Sequence, residues 1–394
     1  FALPDEIKKV PLLKISLHYL NHAEKRATEI EGFELLDMIY NELIKLSHEI
    51  PEINPEEYIN KRKENRVKLN HLQEIDDILA VLIYNVKTSQ TFSGRNEQIN
   101  KMLERTISSF AQSKEVKDSP QLRFRIYHSL SRILLQQQDY VSLENYLLKT
   151  YTEFNREKLF NKNNHDTKLQ MLTYITNALY KNAKIEESLD YAARLNEAMN
   201  EFNGVLKDKY LFFYYSSLFY NYGFSHERRD LAKAIEILDE AKEKEVIKKH
   251  PVYIGFVYLN LAVAYFGLRD MRASLKNLVR LYMHDGFKTL DESFRLKIAM
   301  AELIVRYELE DFEFIEKKAQ QVKKEFAKLL KEENFHKDIA LIEIIQQMIK
   351  SDKPRTDKAL LTKVARFSKS FESQKAESEI IDYNEWLQGI MEKR

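Results

Sequence analysis

The chain contains no cysteine, and only eight glycines and seven prolines among its 394 residues. Without a thiol there is no disulfide, no thiolate nucleophile, no cysteine-held zinc and no iron–sulfur cluster. The absence fits a cytosolic and a periplasmic protein alike, and a cytoplasmic location is the expectation. Average usage of glycine and proline is about 7% and 5%, so both are several-fold scarce. Sheets draw on Gly, Asn and Pro at hairpin turns, and dinucleotide-binding folds need glycine where the backbone approaches a phosphate. Scarcity of both predicts long helices joined by short polar turns, an all-α fold.

Charge of one sign is missing too: 62 basic residues face 61 acidic ones. Nucleic-acid binders draw much of their affinity from neutralising phosphates, so nucleic acid is not an expected partner. The longest uncharged stretch, Tyr210 to Ser225, is 16 residues and includes Ser216, Ser217 and Asn221. A membrane span takes about 20 mostly apolar residues, so this stretch reads as a buried helix and no membrane partner is expected. No phosphate-binding loop, nucleophile elbow or zinc-protease motif occurs. The chain is therefore expected not to be an enzyme and to need no cofactor or metal.

What is present is helical periodicity. Lys, Glu, Leu, Ile and Ala abound, and all form or tolerate helices. Apolar residues recur at spacings of three and four, as in Ile75, Ile78, Leu79, Leu82 and Ile83. Pro4, Pro11, Pro51, Pro55, Pro120, Pro251 and Pro354 punctuate this pattern, with none between Pro120 and Pro251. Polar turn clusters fall at Gln90–Asn96, Ser113–Pro120, Asn161–Asp166 and Ser351–Asp357.

Three segments align without gaps: Leu130–Leu143, Ile175–Ser188 and Leu261–Ser274. Each runs from a large apolar residue through an apolar pair and a polar turn into a second helix. Asn177-Ala178-Leu179-Tyr180 and Leu261-Ala262-Val263-Ala264-Tyr265-Phe266 fit the first half of a repeat. Ala234-Ile235-Glu236-Ile237-Leu238-Asp239-Glu240-Ala241 fits the second, and Asp139-Tyr140 and Asp311-Phe312 fit its turn. On these residues the chain resembles the tetratricopeptide repeat (TPR) family, a TPR-like α-solenoid of stacked antiparallel helical hairpins. Small residues such as Ala178, Ala234 and Ala264 let helices A and B approach closely. Equivalent B-helix positions are Leu143, Ser188, Ala234, Ser274 and Ile315, separated by 45, 46, 40 and 41 residues. The family norm is about 34, so these units carry longer helices or linkers.

The resemblance covers about 119–331. Residues 1–118 then form an N-terminal helical region and 332–394 a C-terminal helical cap, which a solenoid needs at its end. In the family helix A lines a concave surface, and carrying that surface over selects Arg132, Gln136, Gln170, Asn177, Lys181 and Phe256. Tyr220 joins them from the aromatic segment Tyr210–Phe224, part core and part groove. Of the carboxylate clamp found in some family members only Asn177 and Lys181 are present, so a chaperone-type clamp is not implied. The function implied is an adaptor or scaffold binding another protein or an extended peptide. The alternative is a peptide- or ligand-responsive regulator with 1–118 as its output module.

Two further features have ordinary readings beside the functional ones. His18 and His22 stand four apart, a spacing that suits two metal ligands, but a third ligand is not evident and surface histidines account for them. Lys61, Arg62, Lys63, Arg66 and Lys68 form a basic run. Without interleaved aromatics for base stacking it reads as a solvated helix start.

Overall fold

Capping chemistry sets where the helices begin. Ser119, Asp139, Asp230, Asp270 and Asp357 each accept a hydrogen bond from a backbone N–H three residues on, at 2.9–3.3 Å. This satisfies one of the N–H groups that a helix start leaves without an internal partner. Pro120 and Pro251 occupy first turns, where a missing N–H costs nothing.

The computed structural model describes residues 4–88, 114–225, 229–371 and 379–392, and among the described residues every regular element is helical. The turn expected at Gln90–Asn96 lies outside them, as do the side chains of Leu79, Leu82 and Ile83. No helix of the described residues is long and apolar enough to cross a membrane. The chain forms two compact units, Phe1–Ala198 and Met199–Arg394.

The first unit runs α1 (Pro4–Glu29), α2 (Phe33–Leu46), α3 (Pro55–Thr88), a short α4 (Lys114–Lys117), α5 (Pro120–Gln137), α6 (Tyr140–Arg156), α7 (His165–Lys181) and α8 (Ile185–Met199). Helices α1 to α3 share one apolar core with α5, built on Phe33, Leu43, Ile75, Leu122 and Ile133. A second core joins α5, α6 and α7 through Tyr127, Leu143, Leu147, Phe154 and Ile175. The second unit runs α9 (Lys207–Gly223), α10 (Leu231–Lys242), α11 (Glu245–Lys249), α12 (Pro251–Gly267), α13 (Met271–Met283), α14 (Glu292–Glu308), α15 (Phe312–Glu325), α16 (His336–Met348), α17 (Lys358–Ser370) and α18 (Tyr383–Glu392). Every residue from Leu296 to Val305 of α14 is buried, in an apolar core shared with α13, α15, α16, α17 and α18. Sequential helices pack antiparallel in both units, and the fold is the all-α, TPR-like hairpin stack.

The aligned sequence columns become one repeated geometry. Leu143, Ser188, Ala234, Ser274 and Ile315 are all buried. Ser188 Oγ donates to the Thr176 carbonyl at 2.9 Å and Ser274 Oγ to the Ala262 carbonyl at 2.8 Å, clipping helix B to helix A at the same register. Two positions before each of four B-helix starts the same regularity appears at the A-helix ends. Gln138, Ala183, Arg269 and Glu310 adopt positive φ, 56°, 60°, 64° and 58°. At each end paired backbone bonds close the helix, as in Lys184 N to Leu179 O and Ala183 N to Tyr180 O. This is the Schellman closure, which ordinarily takes glycine. A residue with a Cβ loses about 1–2 kcal/mol there, while glycine costs about 0.5–1 kcal/mol in unfolded-chain entropy. Ala183→Gly and Glu310→Gly are each expected to raise stability by about 0.5–1 kcal/mol. Ala178→Gly, inside α7, should lower it by a similar amount; urea midpoints for the three variants decide it.

Candidate binding surface

The A helices of the first unit, α5 and α7, stand beside each other. His128 of α5 lies half-buried between them, and its pKa falls to about 4. Burial is the main cause, followed by the charges of Arg125 and Arg132, with Asp166 and Gln170 pulling the other way. Its imidazole is therefore neutral at physiological pH. Arg132 also acts on the Tyr174 hydroxyl of α7, whose pKa burial raises and the guanidinium partly restores. So Arg132 and Gln170, far apart in sequence, share one neighbourhood.

Gln136 and Gln170 are half-buried; the Gln136 side-chain oxygen is shielded from solvent without a hydrogen bond among the described residues, while the Gln170 side chain hydrogen-bonds His128. Asn177 is exposed on α7. Lys181 is exposed at the end of α7, its ammonium 5.8 Å from the Tyr140 ring and 5.9 Å from that of Tyr180. A cleft of about 930 Å³ opens beside this face, between the α1–α2 turn, the first half of α5 and the α6–α7 connection, with Phe124, His128 and Asp166 on its walls.

In the second unit, Tyr220 of α9 and Phe256 of α12 meet with ring centroids 6.0 Å apart. They belong to a larger array. Phe212 stacks on Tyr253 at 4.0 Å and 6°, and Tyr253 stacks on His250 at 3.9 Å. Phe213 and Phe224, which the repeat pattern did not select, are exposed beside Tyr220. Their signal in the sequence is spacing: 213, 220 and 224 fall on one stripe of a 3.6-residue helix.

The basic run is largely consumed within the first unit. Lys61 Nζ reaches Glu24 at 3.1 Å and Glu57 at 2.8 Å. Partial burial opposes its charge, but these two carboxylates outweigh burial and hold the ammonium above its ordinary range. Arg62 donates to Asn41, Arg66 pairs with Asp37 at 2.8 Å, and Lys68 lies over the Phe33 ring. These contacts join α3 to α1 and α2. His18 and His22 are both exposed on α1, and among the described residues no group of three or more His, Asp or Glu side chains is placed to hold a metal.

The fold is a TPR-like stack of helical hairpins. Neither a protein family nor a curated protein matches the sequence. Among solved structures the chain is similar to the apo form of the quorum sensor NprR from B. thuringiensis, with 13% identity and a TM-score of 0.53. The likeness covers 93% of this chain and 98% of that one, and what it shows is the fold.

Proposed function

We propose that this protein is a non-enzymatic, cytoplasmic peptide-binding module that takes an extended segment of another protein, or a free peptide, on its A-helix faces. The observation that carries the reading is the polar row on the adjacent helices α5 and α7, where half-buried Gln136 and Gln170 accompany exposed cationic and amide side chains. Side-chain amides offer a peptide backbone both a donor and an acceptor. Arg132, Asn177 and Lys181 stand exposed on the same two helices, a row of donors suited to peptide carbonyls. Preformed hairpins lower the entropy lost when an extended chain is bound.

Probing an array of random-sequence peptides with the full-length protein tests this. A subset of sequences should be retained, and Gln136→Ala with Gln170→Ala and Asn177→Ala should weaken the best of them tenfold or more. That follows from about 0.5–1.5 kcal/mol per hydrogen bond. Retention of no peptide would remove the reading.

A second reading, a ligand-responsive regulator with residues 1–118 as output module, draws support from the likeness to a quorum sensor. The basic run adds little to it, since Lys61, Arg62 and Arg66 answer to partners inside the first unit. Amide hydrogen exchange over 33–88 with and without a retained peptide separates the two. A regulator changes protection there, and a passive adaptor does not.

A further inference from the structure

Three of the chain's eight glycines, Gly223, Gly267 and Gly389, line one cleft of about 440 Å³ in the second unit. It opens where α9 and α12 end, against α18 and its lead-in. Gly389 lies inside α18, a position where glycine weakens a helix. Its backbone is ordinary helix, and an added Cβ would meet no atom within 4 Å. Neither backbone conformation nor packing within the chain requires the missing side chain. What it leaves is room for a ligand to come close to the helix. At Gly267, the last residue of α12, an added Cβ would stand 2.7 Å from Leu231 Cδ1 and 3.3 Å from Arg229 Nη2. The bare end of α12 thereby lets the Arg229 guanidinium lie over it.

The charges around this cleft are unequally spent. Glu379 pairs with Lys337 at 2.5 Å, and Asp382 caps α18 by accepting from Glu385 N at 2.9 Å. Glu308 accepts from Trp386 Nε1 at 3.0 Å and faces Arg269 Nη1 at 3.7 Å. Arg229 is exposed and pairs with no group among the described residues. Glu385 is exposed as well. Phe224, Val263, Phe266 and Ile380 give the cleft an apolar wall. Apolar lining with a few converging polar groups, in about 300–1,000 Å³, is the usual form of a small-ligand site. A guanidinium fork matches a carboxylate. Glu308 and Glu385 stand ready to accept an N–H from the same ligand, and they repel one that brings negative charge alone.

We infer that this cleft binds the carboxyl end of an apolar α-amino acid. The carboxylate is held by Arg229 and Arg269, its α-nitrogen donates toward Glu308 and Glu385, and the side chain lies against Phe224 and Phe266. A free amino acid and the last residue of a peptide share this chemistry.

The test is a titration of the full-length protein with L-leucine, acetyl-glycyl-leucine, the carboxamides of both, and octanoate. Trp386 lines the cleft, so its emission is read beside the calorimetric heat. Saturable binding of L-leucine or acetyl-glycyl-leucine is expected, at least tenfold tighter than that of the carboxamides and of octanoate. Preference for L-leucine assigns the site to a free amino acid, and preference for acetyl-glycyl-leucine to a peptide end. Arg229→Gln should weaken binding at least tenfold without moving the thermal melt, since Arg229 has no partner to lose. Gly389→Leu fills the cleft and should abolish binding. If that variant melts early, Gly389→Ala replaces it and should weaken binding while melting no earlier than the parent. Gln136→Ala with Gln170→Ala, in the first unit, should leave binding unchanged, so failure of the peptide surface there is told apart from failure here. No saturable binding of either carboxylate, equal binding of the carboxamides or of octanoate, or binding indifferent to the Arg229 and Gly389 variants would overturn the assignment. Loss of binding in the Gln136 and Gln170 variant would overturn it too.

Discussion

Replacing Asp338 by alanine is expected to destabilise the second unit by about 3–5 kcal/mol, the usual cost of stranding one member of a buried ion pair. The Asp338 carboxylate on α16 is fully buried and receives Lys297 Nζ from α14 at 2.7 and 2.6 Å. Tyr383 of α18 donates to it at 2.9 Å. Burial, reinforced by the Asp338 charge, drives the Tyr383 hydroxyl far above its ordinary range, so it stays a donor. One carboxylate thus ties three helices together. Nearby, Lys337 and Glu379 form a second buried pair at 2.5 Å, anchoring the lead-in to α18. With Asp338 gone, the buried Lys297 ammonium loses its carboxylate partner and keeps its places 5.6 Å from the Phe335 ring and 5.7 Å from that of Tyr383. The double variant Lys297→Met with Asp338→Leu should recover most of the loss, because no charge is then stranded. Trp386, the lone tryptophan, packs on Tyr307 and donates to Glu308 at 3.0 Å. Its emission during urea unfolding reports on this unit directly. A loss under 1 kcal/mol for Asp338→Ala would mean that the pair is worth no more than an exposed one.

Leu143→Ala should cost about 2–5 kcal/mol, the range for emptying a buried leucine site. Leu143 has no exposed surface and packs in the core that α5, α6 and α7 share. Two residues earlier on the same helix, Val141 is 63% exposed, and Val141→Ala should change stability by less than about 0.5 kcal/mol. Because Trp386 lies in the other unit, helical circular dichroism is the appropriate readout. Comparable losses for both variants would mean that the column shared by Leu143, Ser188, Ala234, Ser274 and Ile315 does not mark the seam between helices A and B.

That seam is the part of the architecture most legible in the sequence. The gapless alignment of three segments placed Leu143, Ser188 and Ser274 in one column, and the two serines make the same hydrogen bond to the preceding helix. The same alignment put Gln138, Ala183 and Arg269 in a column whose meaning was hidden. Glycine ordinarily announces a left-handed helix end, and here Gln, Ala and Arg hold that conformation instead. Paired backbone bonds, which leave no trace in residue type, enforce it.

The candidate surface was legible unevenly. Tyr220 and Phe256 were chosen from different repeats, and they touch. Phe213 and Phe224 were passed over because an aromatic run without alternation does not say which rings face a neighbour. Exposure depends on where α12 lies against α9. The basic run at Lys61–Lys68 looked like a solvated stretch with binding potential. Its partners Glu24, Asp37 and Asn41 sit on two other helices, and only their packing revealed that these charges serve to join helices.

By itself, then, the amino-acid chain determined that the protein is helical, that its helices pair in recurring hairpins, and which short side chains lie at the seams. Those features follow from local propensity and from spacing within about forty residues, which survive without a three-dimensional context. Tertiary structure alone decided which polar and aromatic groups are consumed in holding helices together and which remain exposed. A side chain's partners across space depend on how distant segments are brought together, and that information resides in packing rather than in any one stretch of chain.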